Sequence, residues 1–149
     1  MHPFELKTIV FAKHAQHVVL IHFPIALFIA GVAFDFLAEW RKQRLLAAAA
    51  YFNFFAAALT TIPVLITGIL AWQWQLEGQR LKGILLMHLV AGCVSSTLIC
   101  VVWLLHKRAR KEEEGILPGY RLPMEAVAVA LVALTGHLGG FLSGVNVPT

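Results

Sequence analysis

Four long apolar runs dominate the sequence and restrict the chain to a membrane environment. Each run meets or exceeds the roughly 20 residues that a helix needs to cross about 30 Å of hydrocarbon. The runs are continuously apolar and do not alternate every second residue, so they favour helices over the strands of a membrane barrel. The sequence therefore predicts an all-α, integral membrane four-helix bundle that forms one domain over residues 1–149, with spans at approximately 18–40, 47–76, 83–105 and 123–145.

Composition excludes several classes of protein. Hydrophobic residues make up 59% of the chain and charged residues 13%, far from the values of an average soluble domain. The connections between the runs are too short for a soluble catalytic domain, and no nucleophile or nucleotide-binding motif occurs. The stretch before the first run contains charges and histidines and lacks a small-residue cleavage site, so we expect a retained helix and not a signal peptide.

The lysines and arginines of the connections predict the orientation, because cytoplasmic loops carry the excess of positive charge. This rule places both termini on the outer, periplasmic side of a bacterial inner membrane. The net charge of +4 is then a consequence of topology and does not indicate nucleic-acid binding. One side carries Lys7, Lys13, Arg80 and Lys82, whereas the other carries Arg41, Lys42, Arg44, Lys107, Arg108, Arg110, Lys111 and Arg121.

Histidines at one depth are the main candidates for chemistry. In the predicted topology His22, His88 and His137 lie roughly 7, 7 and 12 Å below the outer boundary, at 1.5 Å per residue. Ionisable residues inside a membrane are expensive and are functional candidates by default. His17 lies nearer the surface and about 140° around the helix from His22. Three helices are thus expected to bring imidazoles to one layer.

A b-type haem is the cofactor that best fits these residues. Membrane bundles hold haem iron through histidines on facing helices, and the absence of C-x-x-C-H excludes covalent attachment. We expect His22 or His88 to pair with His137 as axial ligands, and His17 to serve a second haem or a propionate. Space for the ring would come from a ridge of small residues at Gly136, Gly140 and Gly144.

Other interpretations of the same residues stay open. A membrane histidine can donate a hydrogen bond across a helix interface, and glycines at every fourth residue suit tight helix packing. Neutral imidazoles also suit copper or zinc, and Met87 adjoins His88. The alternatives to a haem protein are therefore a cofactor-free accessory subunit of a larger membrane complex and a copper- or quinone-binding module.

Several other polar residues are assigned structural roles. His14 and His106 are expected at solvent or lipid headgroups among lysines and arginines. Asp35, near the cytoplasmic boundary, is expected to reach water or to pair with Arg41 or Arg44. Further expectations are a kink at Pro63 whose freed backbone groups Thr60 or Thr61 compensate, and a contact of Asn53 with Asp35.

The chain also resembles a known family. The segment His17-Val-Val-Leu-Ile-His22-Phe-Pro, then Asp35, Thr67-Gly68 with Trp72, His88 and Gly136-His137-Leu-Gly-Gly resemble a widespread family of small four-helix bacterial membrane proteins known as a domain of unknown function. The resemblance covers nearly the whole chain. It implies the four-helix fold and the importance of His17, His22, His88 and His137, and little about activity. Val18 and Ala71 replace a proline and an aspartate that are usual in the family.

The residues and the resemblance together predict a haem b-binding membrane subunit. We expect one or two haems near the outer face, and electron transfer within or to a respiratory or photosynthetic complex. The expected partners are membrane lipid, and other membrane subunits or a redox protein on the outer face. A homo-oligomer is a further expectation. Independent enzyme activity is left open.

Overall fold

The computed structural model describes residues 15–111 and 117–144, and these residues form helices joined by short turns. Four stretches are long and apolar enough to cross a membrane: Gln16–Arg41, Arg44–Trp74, Gly83–Ala109 and Arg121–Leu142. The predicted all-helical, four-span fold is confirmed, with limits that differ by a few residues. The helices are α1 (Ala15–Leu20), α2 (His22–Arg41), α3 (Arg44–Gln75), α4 (Gly83–Ala109) and α5 (Arg121–Leu142). Expectations for Lys7, Lys13, His14 and Val145 concern residues outside the described ranges.

The first span consists of two helices because Pro24 interrupts it. Proline has no N–H, so Pro24 cannot donate to the carbonyl of Leu20, and its ring crowds that carbonyl. Only Ile21 lies between α1 and α2, and its N–H still bonds the carbonyl of His17 at 3.0 Å. His17 therefore lies on a short turn before the interruption, at the start of the span.

Two helical hairpins build the bundle. Lys42 and Gln43 alone connect α2 to α3, and Lys42 adopts a left-handed conformation with φ 52° while its N–H bonds the carbonyl of Ala38. The most extensive packing is between α2 and α3, followed by α4 against α5; α3 with α4, and α2 with α5, join the hairpins. The end of the bundle that holds the α2–α3 turn is called the hairpin end, and the opposite end, where α1 begins, the terminal end.

The core is made of small and aromatic side chains. Phe28 and Phe54 are fully buried, with ring centroids 5.6 Å apart. Gly31 allows this arrangement, because a Cβ atom there would lie 2.7 Å from two carbons of the Phe54 ring. Small residues let membrane helices approach closely, where packing and not water exclusion drives association. The remaining buried apolar residues of this core are Ala50, Ala57, Ala58, Ile99, Val102, Ala128 and Val132.

Prolines inside the spans behave differently from one another. The α3 helix continues through Pro63, and the hydroxyls of Thr60 and Thr61 donate to the carbonyls of Ala56 and Ala58 at 2.8 and 2.7 Å. The predicted bonding of these threonines to nearby backbone is confirmed. By contrast, Pro123 is the third residue of α5, where the missing N–H has no partner within the helix to lose.

Replacing Gly31 by alanine tests the close approach of α2 to α3. The added methyl overlaps the rigid Phe54 ring, so we expect Gly31→Ala to lower the free energy of unfolding by about 1–3 kcal/mol, despite the better helix propensity of alanine. Gly92→Ala is the matched control, since its Cβ meets only Thr135 Cγ2 at 3.8 Å. Reversible unfolding in mixed detergent micelles measures both; equal stabilities would contradict the packing described.

Candidate functional site

Polar side chains form two groups, one at each end of the bundle. At the terminal end, His17 and His88 are held by bonds to neighbouring helices; we call them the histidine pair. At the hairpin end, ionisable residues of three helices meet, and all but Glu39 are buried. We call them the charged cluster, formed by Asp35, Glu39, His106, Arg121 and Glu125.

His17 is anchored to α3 through its Nδ1 atom. This atom lies 3.2 Å from Thr67 Oγ1. The Thr67 hydroxyl in turn lies 2.8 Å from the carbonyl of Pro63 and 3.1 Å from that of Val64, so its proton is directed to the backbone and its oxygen accepts from the imidazole. Nδ1 of His17 therefore carries the proton, and Nε2 of the neutral ring keeps its lone pair.

His88 is anchored in the same way to α5. Its Nδ1 donates to the carbonyl of Thr135 at 3.0 Å. The Thr135 hydroxyl donates to the Leu131 carbonyl at 2.8 Å, and it accepts from Ser95 at 3.0 Å. The neutral ring of His88 is thus also the Nδ1–H tautomer, with the lone pair on Nε2.

A glycine lies against each of these two rings. A Cβ atom at Gly68 would stand 3.0 Å from Cε1 of His17, and one at Gly139 would stand 3.1 Å from Cε1 of His88. Both distances are tighter than ordinary packing, so any larger residue would push the imidazole aside. Gly68 of the Thr67-Gly68 motif and Gly139 of the Gly-Gly motif therefore have a local role, because they leave room for the two imidazole rings.

The two rings lie at the same end of the bundle. His17 and His88 are both half-buried, and each is held by a residue of another span. Neutral imidazoles that are fixed through Nδ1 and keep an Nε2 lone pair are the type of donor that binds a transition metal or a haem iron.

The other two predicted histidines lie at exposed positions. Nδ1 of His22 donates to the carbonyl of Val18 on the same span at 2.7 Å. The exposed ring of His137 packs edge-on against Phe141, with centroids 4.9 Å apart. The pairing of His22 or His88 with His137 has no test in these contacts and stays a prediction.

The predicted glycine ridge differs in part from the structure. A Cβ at Gly136 would meet Ile25 Cδ1 at 4.0 Å, an ordinary contact, and Gly140 is half-buried. Gly144 lies beyond the end of α5 at Leu142 and has a left-handed conformation with φ 75°, so it is not part of the helix face. The ridge on α5 is therefore shorter than the prediction.

Arg121 is the centre of the charged cluster. Its Nε donates to Asp35 Oδ2 at 2.8 Å, and its Nη2 donates to Glu39 Oε2 at 2.7 Å. Glu39 also pairs with the exposed Lys42. Asp35 is only 1% exposed, so the expectation that it reaches water or pairs with Arg41 or Arg44 is wrong: its partner is an arginine of the fourth span.

His106 and Glu125 form the second pair of the cluster. Their Nε2 and Oε1 atoms lie 3.1 Å apart, and both side chains are buried. The expectation that His106 lies at headgroups is wrong, because α4 continues to Ala109 and not only to residue 105. Asn53 bonds the carbonyl of Ala49 in its own helix at 2.9 Å, and not Asp35.

A signal for this cluster was present in the sequence. Asp35 and Glu39 are four residues apart near the end of the first span, and Arg121 and Glu125 are four apart at the start of the last. Residues with that spacing share a helix face, and the topology brings both faces to the same membrane boundary. Counting Arg121 only as a loop charge for the orientation hid this match.

Comparisons with known proteins add one finding. A family model described as "Predicted membrane protein (DUF2231)" matches residues 13–146. Neither the curated proteins nor the solved structures that were compared give a match.

Removing the charge of Arg121 tests the buried ion pair. In Arg121→Gln the Asp35 carboxylate loses its cation while still buried, so we expect the free energy of unfolding to fall by about 3–5 kcal/mol. Arg108→Gln, at an exposed position near the same end of the bundle, is the control and should change it by less than about 0.5 kcal/mol. If both variants unfold alike in mixed micelles, the pair does not stabilise the bundle.

Proposed function

Since the chain belongs to the family of predicted membrane proteins that the family model describes, we propose that it is a membrane subunit which binds a b-type haem at the histidine pair and transfers electrons. His17 and His88 are the axial ligands in this proposal. The family description names no activity, so the proposal depends on the geometry of the two rings.

The observation that carries the proposal is the state of the two Nδ1 atoms. Histidines that bind metals almost always donate their other ring N–H to a carbonyl, a carboxylate or water, which fixes the tautomer and the ring orientation. His88 donates to the Thr135 carbonyl and His17 to the Thr67 hydroxyl. Each ring is therefore prepared to offer Nε2 to iron without any further change of proton position.

Two glycines let the backbone hold the proposed ligand rings closely. Gly68 and Gly139 present backbone where other residues would place side chains, beside the ligand rings. When bound, haem supplies a one-electron couple whose potential depends on the axial ligands, burial and nearby hydrogen bonds. Of the other predicted residues, His22 and His137 are candidates for a second haem or a propionate, and Gly136 and Gly140 for packing against the ring.

The environment of this subunit follows from the distribution of charge. The positive-inside rule places the terminal end, and with it the histidine pair, on the outer side of a bacterial inner membrane. A redox partner would then approach from that face, as part of a respiratory or photosynthetic complex. Exposed apolar side chains such as Phe36, Ile62 and Leu134 would contact lipid, another membrane subunit or a second copy of the chain.

A second candidate function has its own support in the same bonds. The His88–Thr135 bond joins α4 to α5, and the His17–Thr67 bond joins α1 to α3. Such bonds between spans are worth about 0.6–2 kcal/mol. A cofactor-free accessory subunit would use the histidines for that purpose alone. A copper ion is an alternative occupant of the same two Nε2 atoms.

The first test is the dithionite-reduced minus oxidised absorption spectrum of the full chain, expressed with ample haem, together with pyridine extraction to type and count haem. We expect a b-type signal that His17→Ala and His88→Ala abolish. His22→Ala and His137→Ala are the matched variants, and for a single haem they should keep the signal. A colourless, folded protein overturns the haem proposal; copper in it, by metal analysis, favours the copper module.

Thr67 provides a test of positioning that does not remove a ligand. Thr67→Val keeps the shape of the side chain but removes the acceptor of the His17 N–H. Loss of such a partner typically weakens metal binding about 10–100-fold, so we expect a weaker haem affinity and a shifted reduction potential at unchanged fold. Thr97→Val, whose hydroxyl bonds the Cys93 carbonyl of its own helix, is the control. Equal affinities and potentials in the two variants would contradict a positioning role for the Thr67 hydroxyl.

A further inference from the structure

The charged cluster at the hairpin end has the composition of a metal site. We propose that Asp35, His106 and Glu125 bind a divalent transition-metal ion, such as Zn²⁺, Mn²⁺ or Fe²⁺, at a site separate from the histidine pair. The proposal is independent of the haem, since the two sites share no residue and lie at opposite ends of the bundle.

The distances between the donor atoms permit a shared ion. One donor atom from each of the three residues can be chosen so that all lie within 4.8 Å of one another. Zinc binds histidine nitrogen and carboxylate oxygen at about 2.0–2.2 Å in tetrahedral geometry, so donors on one ion stand about 3.5 Å apart. Side-chain movements of about 1 Å would therefore close the site around an ion.

An unsatisfied oxygen points to a missing ligand. Glu125 is 0% exposed, and its Oε1 meets His106, but its Oε2 finds no hydrogen-bond partner among the residues that the structure describes. A buried carboxylate oxygen without a partner is unfavourable, because the loss of its hydration is not compensated. Donor oxygens of Glu125 and Asp35 lie within 4.8 Å of each other, so a cation between the two acids would satisfy the free oxygen and reduce their repulsion.

The acids of the cluster outnumber the cations that pair with them. Asp35, Glu39 and Glu125 are three acids, whereas the only cations paired with them among the described residues are Arg121, which contacts Asp35 and Glu39, and Lys42, which contacts Glu39. Arg121 does not occupy the site, because its guanidinium bonds Asp35 Oδ2 and Glu39 Oε2. It would hold the Asp35 carboxylate in place as a second-layer partner, a role that commonly accompanies metal ligands.

The donor types select the class of ion. One imidazole with two carboxylates suits zinc, manganese or iron, whereas the all-oxygen sites of calcium and magnesium lack the nitrogen. The ion would bind the Nε2 lone pair of His106 in place of the contact with Glu125 Oε1, and the one proton of the neutral ring would then lie on Nδ1. Glu39, which is 44% exposed, lies at the edge of the cluster where an ion would enter.

The test uses the untagged full chain in detergent, stripped with a chelator and then titrated with Zn²⁺, Mn²⁺ and Co²⁺, the last as a visible spectroscopic probe. We expect about one equivalent of at least one ion, with an affinity that Glu125→Gln and His106→Gln each lower about 10–100-fold. Glu77→Gln, an exposed acid at the other end, is the matched control and should bind like the natural chain.

Variants of the histidine pair separate the two proposals. His17→Ala and His88→Ala should leave the zinc, manganese or cobalt stoichiometry unchanged, whatever they do to haem. Two results overturn the metal site: no uptake by the stripped natural chain, which needs no variant to interpret, or uptake that disappears in the His17 and His88 variants but survives in Glu125→Gln and His106→Gln.

Discussion

The salt bridge between Arg121 and Asp35 is the interaction on which the closed bundle depends. The two hairpins pack extensively within themselves, whereas α2 and α5, one from each hairpin, share a smaller contact. The ion pair lies in that contact, at 2.8 Å and with Asp35 almost fully buried. In hydrocarbon neither charge can be left alone, so the pair fixes which face of α5 meets α2, and with it the positions of His106 and Glu125.

Close packing of side chains, and not burial from water, holds the spans together. Lipid is as apolar as the side chains, so burial from water does not hold membrane helices together. The chain uses alanines on α3 and the direct contact of the Phe54 ring with Gly31 instead. The same device recurs at the terminal end, where Gly68 and Gly139 receive imidazole rings. Small residues thus determine where helices meet and where a ring can be seated.

Hydropathy alone predicted the number and approximate limits of the spans, because the cost of unsatisfied backbone in lipid leaves little choice of fold. The depth of residues along the spans also pointed to the four histidines, but not to the two that neighbouring helices hold. The interruption at Pro24 and the rotation of each helix about its axis decide that, and depth along a span reveals neither. The charged cluster was missed for a related reason. Ending the third span at residue 105 put His106 outside it, and one turn more of α4 places its ring in the core.

The polar atoms of the histidine pair and of the charged cluster have different partners, and this difference bears on what each group can bind. At the histidine pair every N–H has an uncharged acceptor, so the rings stay neutral and present lone pairs, as a haem iron or another soft-to-borderline metal requires. At the charged cluster an arginine neutralises only part of the acidic charge, and a buried oxygen keeps unused capacity. A neutral ligand would leave that charge unchanged, whereas a compact cation beside Glu125 and Asp35 would reduce it.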